Sequence, residues 1–192
     1  MLPIITTQGD VAGITSDDAI NLPAAQYYQC QNITVDVSGP GFLSGDVTWD
    51  ILDSNGVSVS SGVTITGQNT VSATIRLSTA VDPGVYTIKA CNTEDDEDCS
   101  THEFTLVALP DIQVGFPNQR YVGGSTQFST AYPNAVAWGI GGSSNAQIDA
   151  DTGYATWSSS GSKDITYTTT TGSCVKHLTY YVYANISVAE FD

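Results

Sequence analysis

The chain has 192 residues, enough for two sandwich domains of about 100 residues each, and no apolar run nears the roughly 18 residues of a membrane span. Lysine and arginine number 5 against 20 aspartates and glutamates, a formal net charge of −15, which repels phosphate backbones and anionic membranes and so excludes nucleic acid and membrane insertion. Thr, Ser, Gly and Val dominate, a composition that suits pleated sheets and tight turns.

The chain opens with an apolar patch, Leu2 to Ile5, that ends at Thr6, and its first basic residue is Arg76. An ordinary secretory leader needs a basic start and a longer apolar run. The expectation is either a mature fragment with an added Met or a protein never exported by the general pathway. Residues 1–28 hold more apolar anchors than one first strand uses: Leu2, Ile4, Ile5, Ile14 and Leu22. They read as an N-terminal arm and strand A region, with Leu2, Ile4 and Ile5 as docking residues.

From residue 29 the pattern is period two, which places alternate side chains on one face of a strand. Ile33, Val35 and Val37 alternate with Thr34 and Asp36. Val47, Trp49 and Ile51 alternate with Thr48 and Asp50. Val71, Ala73, Ile75 and Leu77 follow, then Tyr86, Ile88 and Ala90, then Phe104 and Leu106. Turns are marked by Gly39-Pro40-Gly41, Ser54-Asn55-Gly56, Gly67-Gln68-Asn69 and Asp82-Pro83-Gly84. A break at Leu109-Pro110-Asp111 separates a first domain, 29–108, from a second, 109–192.

The second domain repeats the plan with Tyr121-Val122, Phe128, Val136 to Ile140, Ile148, Tyr154, Trp157, Ile165, Tyr167 and a last strand from Cys174 to Ala184. Trp138 answers Trp49, and Cys174-x-x-His177 answers Cys99-x-x-His102. No stretch carries a sustained 3.6-residue period, so the prediction is all-β with almost no helix. Residues 1–108 hold 14 acids and 2 bases, net −12, and residues 109–192 hold 6 acids and 3 bases, net −3.

Asp82-Pro83-Gly84-Val85-Tyr86 resembles the Asp-x-Gly-x-Tyr corner of immunoglobulin-like domains, where a Tyr at the start of strand F bonds back across the turn. The core cysteine that such domains carry two positions later is Ile88 here, so the usual inter-sheet disulfide is missing. Ala137-Trp138-Gly139 and Ala146-Gln147-Ile148-Asp149-Ala150-Asp151-Thr152-Gly153 are similar to bacterial immunoglobulin-like repeats of the intimin and invasin type. Gly161 through Ile165-Thr166-Tyr167-Thr168, then Gly172-Ser173-Cys174, is similar to repeats in Bacteroidetes surface proteins and tailed-phage virion proteins. The resemblance implies two tandem immunoglobulin-like antiparallel β-sandwiches, a fold that hosts many roles.

Chemistry-bearing residues are few. The two Cys-x-x-His pairs are zinc-ligand types, but residues i and i+3 of a strand face opposite ways, so one pair does not grip one ion. Glu94-Asp95-Asp96-Glu97-Asp98 lacks the spacing and glycine of a calcium loop and reads as a solvated acidic loop. Asp149-x-Asp151-x-Gly153 reads as a hairpin turn. No nucleophile elbow, metalloprotease motif or phosphate loop is present, so no enzyme, cofactor or metal is expected.

Among the four cysteines, Cys91 and Cys99 flank a seven-residue loop and are the favoured pair. A head-to-tail array would also let Cys30 approach Cys174. In related bacterial repeats a cysteine before strand B accompanies one at the start of strand G, which would suggest Cys30–Cys99. The strand plan separates those two by more than the ~7 Å a bridge allows. Cytosolic assembly would leave all four reduced.

Tyr180, Tyr181 and Tyr183 enter as interaction residues. Neighbours alternate faces, so Tyr180 is expected opposite Tyr181 and Tyr183, leaving tyrosine on an outer sheet face. The expected function is a non-catalytic virion structural protein: an auxiliary or decoration capsid protein, or a fibre-associated one, of a tailed bacteriophage. Its partners would be the major capsid protein or other virion proteins, and its place the virion surface. The alternative is a secreted bacterial cell-surface adhesin module, meeting host surface glycans or proteins.

Overall fold

The computed structural model describes residues 18–42, 46–93, 99–141, 146–171 and 174–185. Its elements in chain order are β1 (Ala19–Asn21), β2 (Gln26–Tyr28), β3 (Asn32–Ser38), β4 (Val47–Leu52), β5 (Val63–Thr66), β6 (Ser72–Leu77), β7 (Gly84–Asn92), β8 (Cys99–Val107), β9 (Gln113–Asn118), β10 (Ser125–Ser129), β11 (Val136–Gly141), β12 (Ala146–Ile148), β13 (Tyr154–Trp157), β14 (Gly161–Thr169) and β15 (Val175–Val182). One 3-10 turn, Pro40–Phe42, is the only helical element among the described residues.

The alternation in sequence becomes alternation in burial. In β3 Ile33, Val35 and Val37 point inward and their neighbours outward. Val47, Trp49 and Ile51 do the same in β4, and Ala73, Ile75 and Leu77 in β6. Val71, read with that last group, is exposed just ahead of β6. Two strands escaped the sequence reading. β5 is half-buried along its length. β9 contains Pro117, and a proline is tolerated there because β9 is an edge strand that need not donate outward.

Strand order defines the class. One pair of sheets runs β1-β3-β6-β5 and β2-β8-β7-β4, the other β12-β13-β10-β9 and β11-β14-β15. The second pair places its first, second, fifth and fourth strands in one sheet and its third, sixth and seventh in the other, which is the immunoglobulin-like order, and the first pair follows the same order with β2 added at the edge of the β8-β7-β4 sheet. In the second sandwich the chain after β9 crosses sheets, and Tyr121 bridges Tyr183 in parallel. The chain is all-β, two immunoglobulin-like sandwiches.

The residues pack as two units: Met1–Ala25, Ile33–Ile75 and Val85–Thr105 in the first, and Gln26–Asn32, Arg76–Gly84 and Leu106–Asp192 in the second. In the first unit Trp49 is buried and its indole N–H donates to the Thr70 carbonyl at 2.9 Å. The Gln68 amide completes the pairing of this edge strand: the Trp49 N–H donates to Gln68 Oε1 and Gln68 Nε2 donates to the Trp49 carbonyl, both at 2.9 Å. A side chain thus covers part of an open sheet edge. Tyr86 is buried with its ring 6.1 Å from Phe104.

In the second unit Phe128, Trp138, Ala155, Trp157, Ile165 and Tyr167 form the core. The Tyr167 hydroxyl donates to the Pro110 carbonyl at 2.7 Å, and burial pushes its pKa up. The buried Gln29 amide is satisfied at both ends, donating to the Val81 carbonyl at 2.7 Å and accepting from the Leu109 N–H at 3.3 Å. Cys30 takes a left-handed φ of 64° and is bonded to Cys174, 144 positions away. Thr171 Oγ1 donates to the Cys30 carbonyl at 3.0 Å and Arg76 to the Thr171 carbonyl at 2.9 Å.

Candidate interaction surface

The last strand of the second unit builds the site. β15 pairs with β14 from Gly161↔Val182 to Thr168↔Val175. That register sends Tyr180 and Val182 inward and Val175, His177, Thr179 and Tyr181 outward. Tyr183 follows on the outward side.

Tyr180, expected as an interaction residue, belongs to the core. It is 2% exposed. Its hydroxyl donates to Asn118 Oδ1 at 2.7 Å and shares a 2.8 Å hydrogen bond with Thr126 Oγ1. Its ring stacks on Trp157 at 5.3 Å and meets Phe128 edge-on at 5.2 Å. The Arg120 guanidinium lies 4.8 Å from the ring centroid, a cation–π contact. A partner does not reach the Tyr180 ring. The physical reason is parity: three tyrosines within four positions cannot share a face.

Tyr181 and Tyr183 are 52% and 57% exposed. Their ring centroids are 5.1 Å apart and nearly perpendicular, the edge-to-face arrangement aromatic pairs favour. The surface beside them carries small side chains and few charges. On β14 the outward positions are Ser162, Asp164, Thr166 and Thr168, and opposite them on β11 stand Ala137, Gly139 and Gly141. Asp164 and His177 are the ionisable residues of this face, and they face each other at 3.1 Å. In a chain of net −15 a sheet face with one carboxylate beside one imidazole presents little net charge to a partner.

The exposed aromatics cluster by unit. Among the described residues Phe116, Tyr121, Tyr154, Tyr181 and Tyr183 are exposed, all in the second unit, whereas the first exposes Val57, Val71 and Val85. Phe116 is 94% exposed. Its strand bulges there: Val114 opposes Phe128 and Asn118 opposes Thr126, so three residues of β9 face one of β10. Sequence reading missed Phe116 and found Tyr121 only as a strand marker. The sequence carried no signal for Phe116, because its exposure follows from the bulge between two strands.

Leu2, Ile4 and Ile5 lie outside the described residues. Cys91 and Cys99 are bonded to each other with Cα atoms 4.1 Å apart, and no described cysteine is free. The Cys30–Cys99 pairing suggested by related repeats is therefore absent, and the cysteines are not in the reduced state that cytosolic assembly implied. Neither Cys-x-x-His pair retains a thiolate to offer a metal. Asp149 Oδ1 accepts from the Thr152 N–H, the Thr152 hydroxyl and the Asp151 N–H at 2.8 to 3.1 Å, an Asx-type turn. The Thr152 N–H above all, with the Thr152 hydroxyl and Asp151 N–H, holds the Asp149 carboxyl below its usual range.

No protein-family model and no curated protein matches the chain. Solved structures with similar arrangements include a C-terminal 282-residue fragment of intimin in complex with the intimin-binding domain of the translocated intimin receptor. It is 15% identical with a TM-score of 0.36, over 85% of this chain and 63% of the fragment. The N-terminal Ig1-2 module of the Drosophila receptor protein tyrosine phosphatase DLAR is 13% identical with a TM-score of 0.36, over 88% of this chain and 99% of the module. Titin domains A168-A170 are 12% identical with a TM-score of 0.37, over 87% of this chain and 65% of theirs. The class rests on the strand order given above.

Proposed function

We propose that the chain is a non-catalytic binding module displayed on a surface, and more finely an auxiliary or decoration capsid protein, or fibre-associated protein, of a tailed bacteriophage. The observation that carries the reading is the Tyr181–Tyr183 pair on a charge-poor sheet face of a strongly acidic chain. Exposed tyrosines at the end of a sheet face of small side chains, with Ser162 opposite Tyr181, fit the aromatic, charge-poor centre of a protein interface. The acidic half, net −12 over residues 1–108, repels its own copies and faces solvent. The partner is the major capsid protein or another virion protein, and Leu2, Ile4 and Ile5 supply a second attachment.

The test is incorporation into particles. Tyr181→Ser with Tyr183→Ser leaves the core untouched and is expected to lower occupancy on particles, counted by electron microscopy and quantitative mass spectrometry. Removing residues 1–17, which keeps β1, measures the share of Leu2, Ile4 and Ile5. Full occupancy in both variants refutes the reading.

One observation favours a second reading, a secreted bacterial cell-surface adhesin module. Two disulfides suit an oxidising compartment. They suit a virion surface as well, but a secreted protein acquires them during export. If no particle carries the chain and intact cells do, the adhesin reading replaces the first.

A further inference from the structure

A cleft of 440 Å³ opens in the second unit between the β10–β11 connection and the β12–β13 turn. Its size lies within the usual range for small-molecule sites. Phe128, Tyr132 and Trp138 form its aromatic wall, and Asn134, Asp151 and Thr152 stand among its polar lining. The Gln127 amide fixes the lining, donating to the Thr152 carbonyl at 2.6 Å and the Phe128 carbonyl at 2.8 Å.

Several polar groups here are unused. The Tyr132 hydroxyl is buried with its residue 6% exposed, and it is the buried side-chain polar atom left without a partner among the described residues. The Trp138 indole N–H, the Asn134 amide and the exposed Asp151 carboxylate make no hydrogen bond within the described residues and, unlike the Tyr132 hydroxyl, are open to solvent. Among the described residues only the Tyr132 hydroxyl is both buried and unpaired, which is uncommon in native proteins; the others are solvated groups that a ligand would take over from water.

We propose that this cleft binds one residue of a neutral polyhydroxylated ligand, a sugar. The donor and acceptor inventory selects it. A carboxylate only accepts, an indole N–H only donates, and an amide does both. A pair of neighbouring hydroxyls both donates and accepts, so it can satisfy Asp151, Asn134 and Trp138 together. No Lys, Arg or His lines the cleft, so a phosphate, sulfate or carboxylate would meet Asp151 with no compensating cation. One rim carboxylate, screened by solvent, gives an organic cation little hold. The proposal rests on the chain being a binding module, and it places ligand recognition apart from the tyrosine face.

The experiment titrates the full-length chain with D-galactose, D-mannose, N-acetylglucosamine, maltohexaose and cellohexaose, read by saturation-transfer NMR and tryptophan fluorescence. At least one is expected to give a saturable signal in the millimolar range or tighter. A hexasaccharide binding more tightly than the monosaccharides assigns the ligand to a surface glycan; equal binding assigns it to a free sugar. Asp151→Ala combined with Asn134→Ala is expected to weaken binding about tenfold or more with unchanged circular dichroism. Glucose 6-phosphate and spermidine are expected not to bind. The Tyr181→Ser, Tyr183→Ser variant keeps sugar binding while losing docking, so the two readings fail separately. No saturable signal with any of these saccharides, binding undiminished in the double variant, or equal binding of glucose 6-phosphate or spermidine overturns the proposal.

Discussion

Gly153 ends the β12–β13 turn with φ at +73°, and a Cβ added there would sit 2.7 Å from the Phe128 carbonyl oxygen and 2.9 to 3.0 Å from the Trp138 indole. Neither neighbour can give way easily. The Phe128 N–H is bonded to the Gly153 carbonyl at 3.0 Å, and Trp138 is wedged between Phe128 and Tyr167. Gly123 supplies the matched control in the same unit, with φ at +87° and nothing within 4 Å of its virtual Cβ. Holding alanine in a left-handed conformation costs about 1–2 kcal/mol, of which about 0.4–1 returns through the stiffer unfolded chain. Gly123→Ala should therefore cost about 1 kcal/mol. Gly153→Ala adds overpacking against backbone and indole, about 1–3 kcal/mol more. Urea unfolding followed by tryptophan fluorescence measures both, with an unchanged m-value marking a pure stability effect. Equal losses in the two variants would show that the close approach at Gly153 relaxes freely, and the packing argument would fail.

Tyr180→Phe removes a hydroxyl bonded to Thr126 and Asn118; a loss of about 1 kcal/mol is expected because the buried Thr126 hydroxyl loses one of its two partners, and a neutral result in chemical denaturation would contradict the network. Breaking Cys30–Cys174, which closes 144 positions, should cost about 5 kcal/mol by loop entropy against about 2.5 for Cys91–Cys99, which closes 8. Denaturation of Cys30→Ser/Cys174→Ser and Cys91→Ser/Cys99→Ser double variants tests that ranking. The Asp149 carboxyl has a depressed folded pKa, so its contribution is present above the ordinary carboxylate range and is lost as pH falls through the folded value. The protection factors of the Asp151 and Thr152 amides, which remove the intrinsic pH dependence of exchange, should fall in acid, and Asp149→Ala should abolish that change in protection.

Periodicity alone carried the fold a long way. Ile33, Val35, Val37 and Val47, Trp49, Ile51 announce strands because a pleated backbone sends alternate side chains to one face, and burial follows parity. Parity also separates Tyr180 from Tyr181 and Tyr183, but it leaves open which set is inside. Packing decided that: Phe128, Trp157 and Thr126 wait on the inner face for Tyr180, and nothing comparable covers Tyr181. Phe116 was illegible for a related reason. Its exposure comes from a bulge in β9, and a bulge is a property of two strands in register, not of one. The cysteines divide in the same way. Cys91 and Cys99 flank one short loop, so sequence proximity suggests their bond. Cys30 and Cys174 lie 144 positions apart, and only the path of the folded backbone brings them within bonding distance. The cleft beside Trp138 joins a connection near residue 132 to a turn near residue 151. Local sequence records which groups can hydrogen-bond there, but only the tertiary fold leaves them unpaired and facing one space.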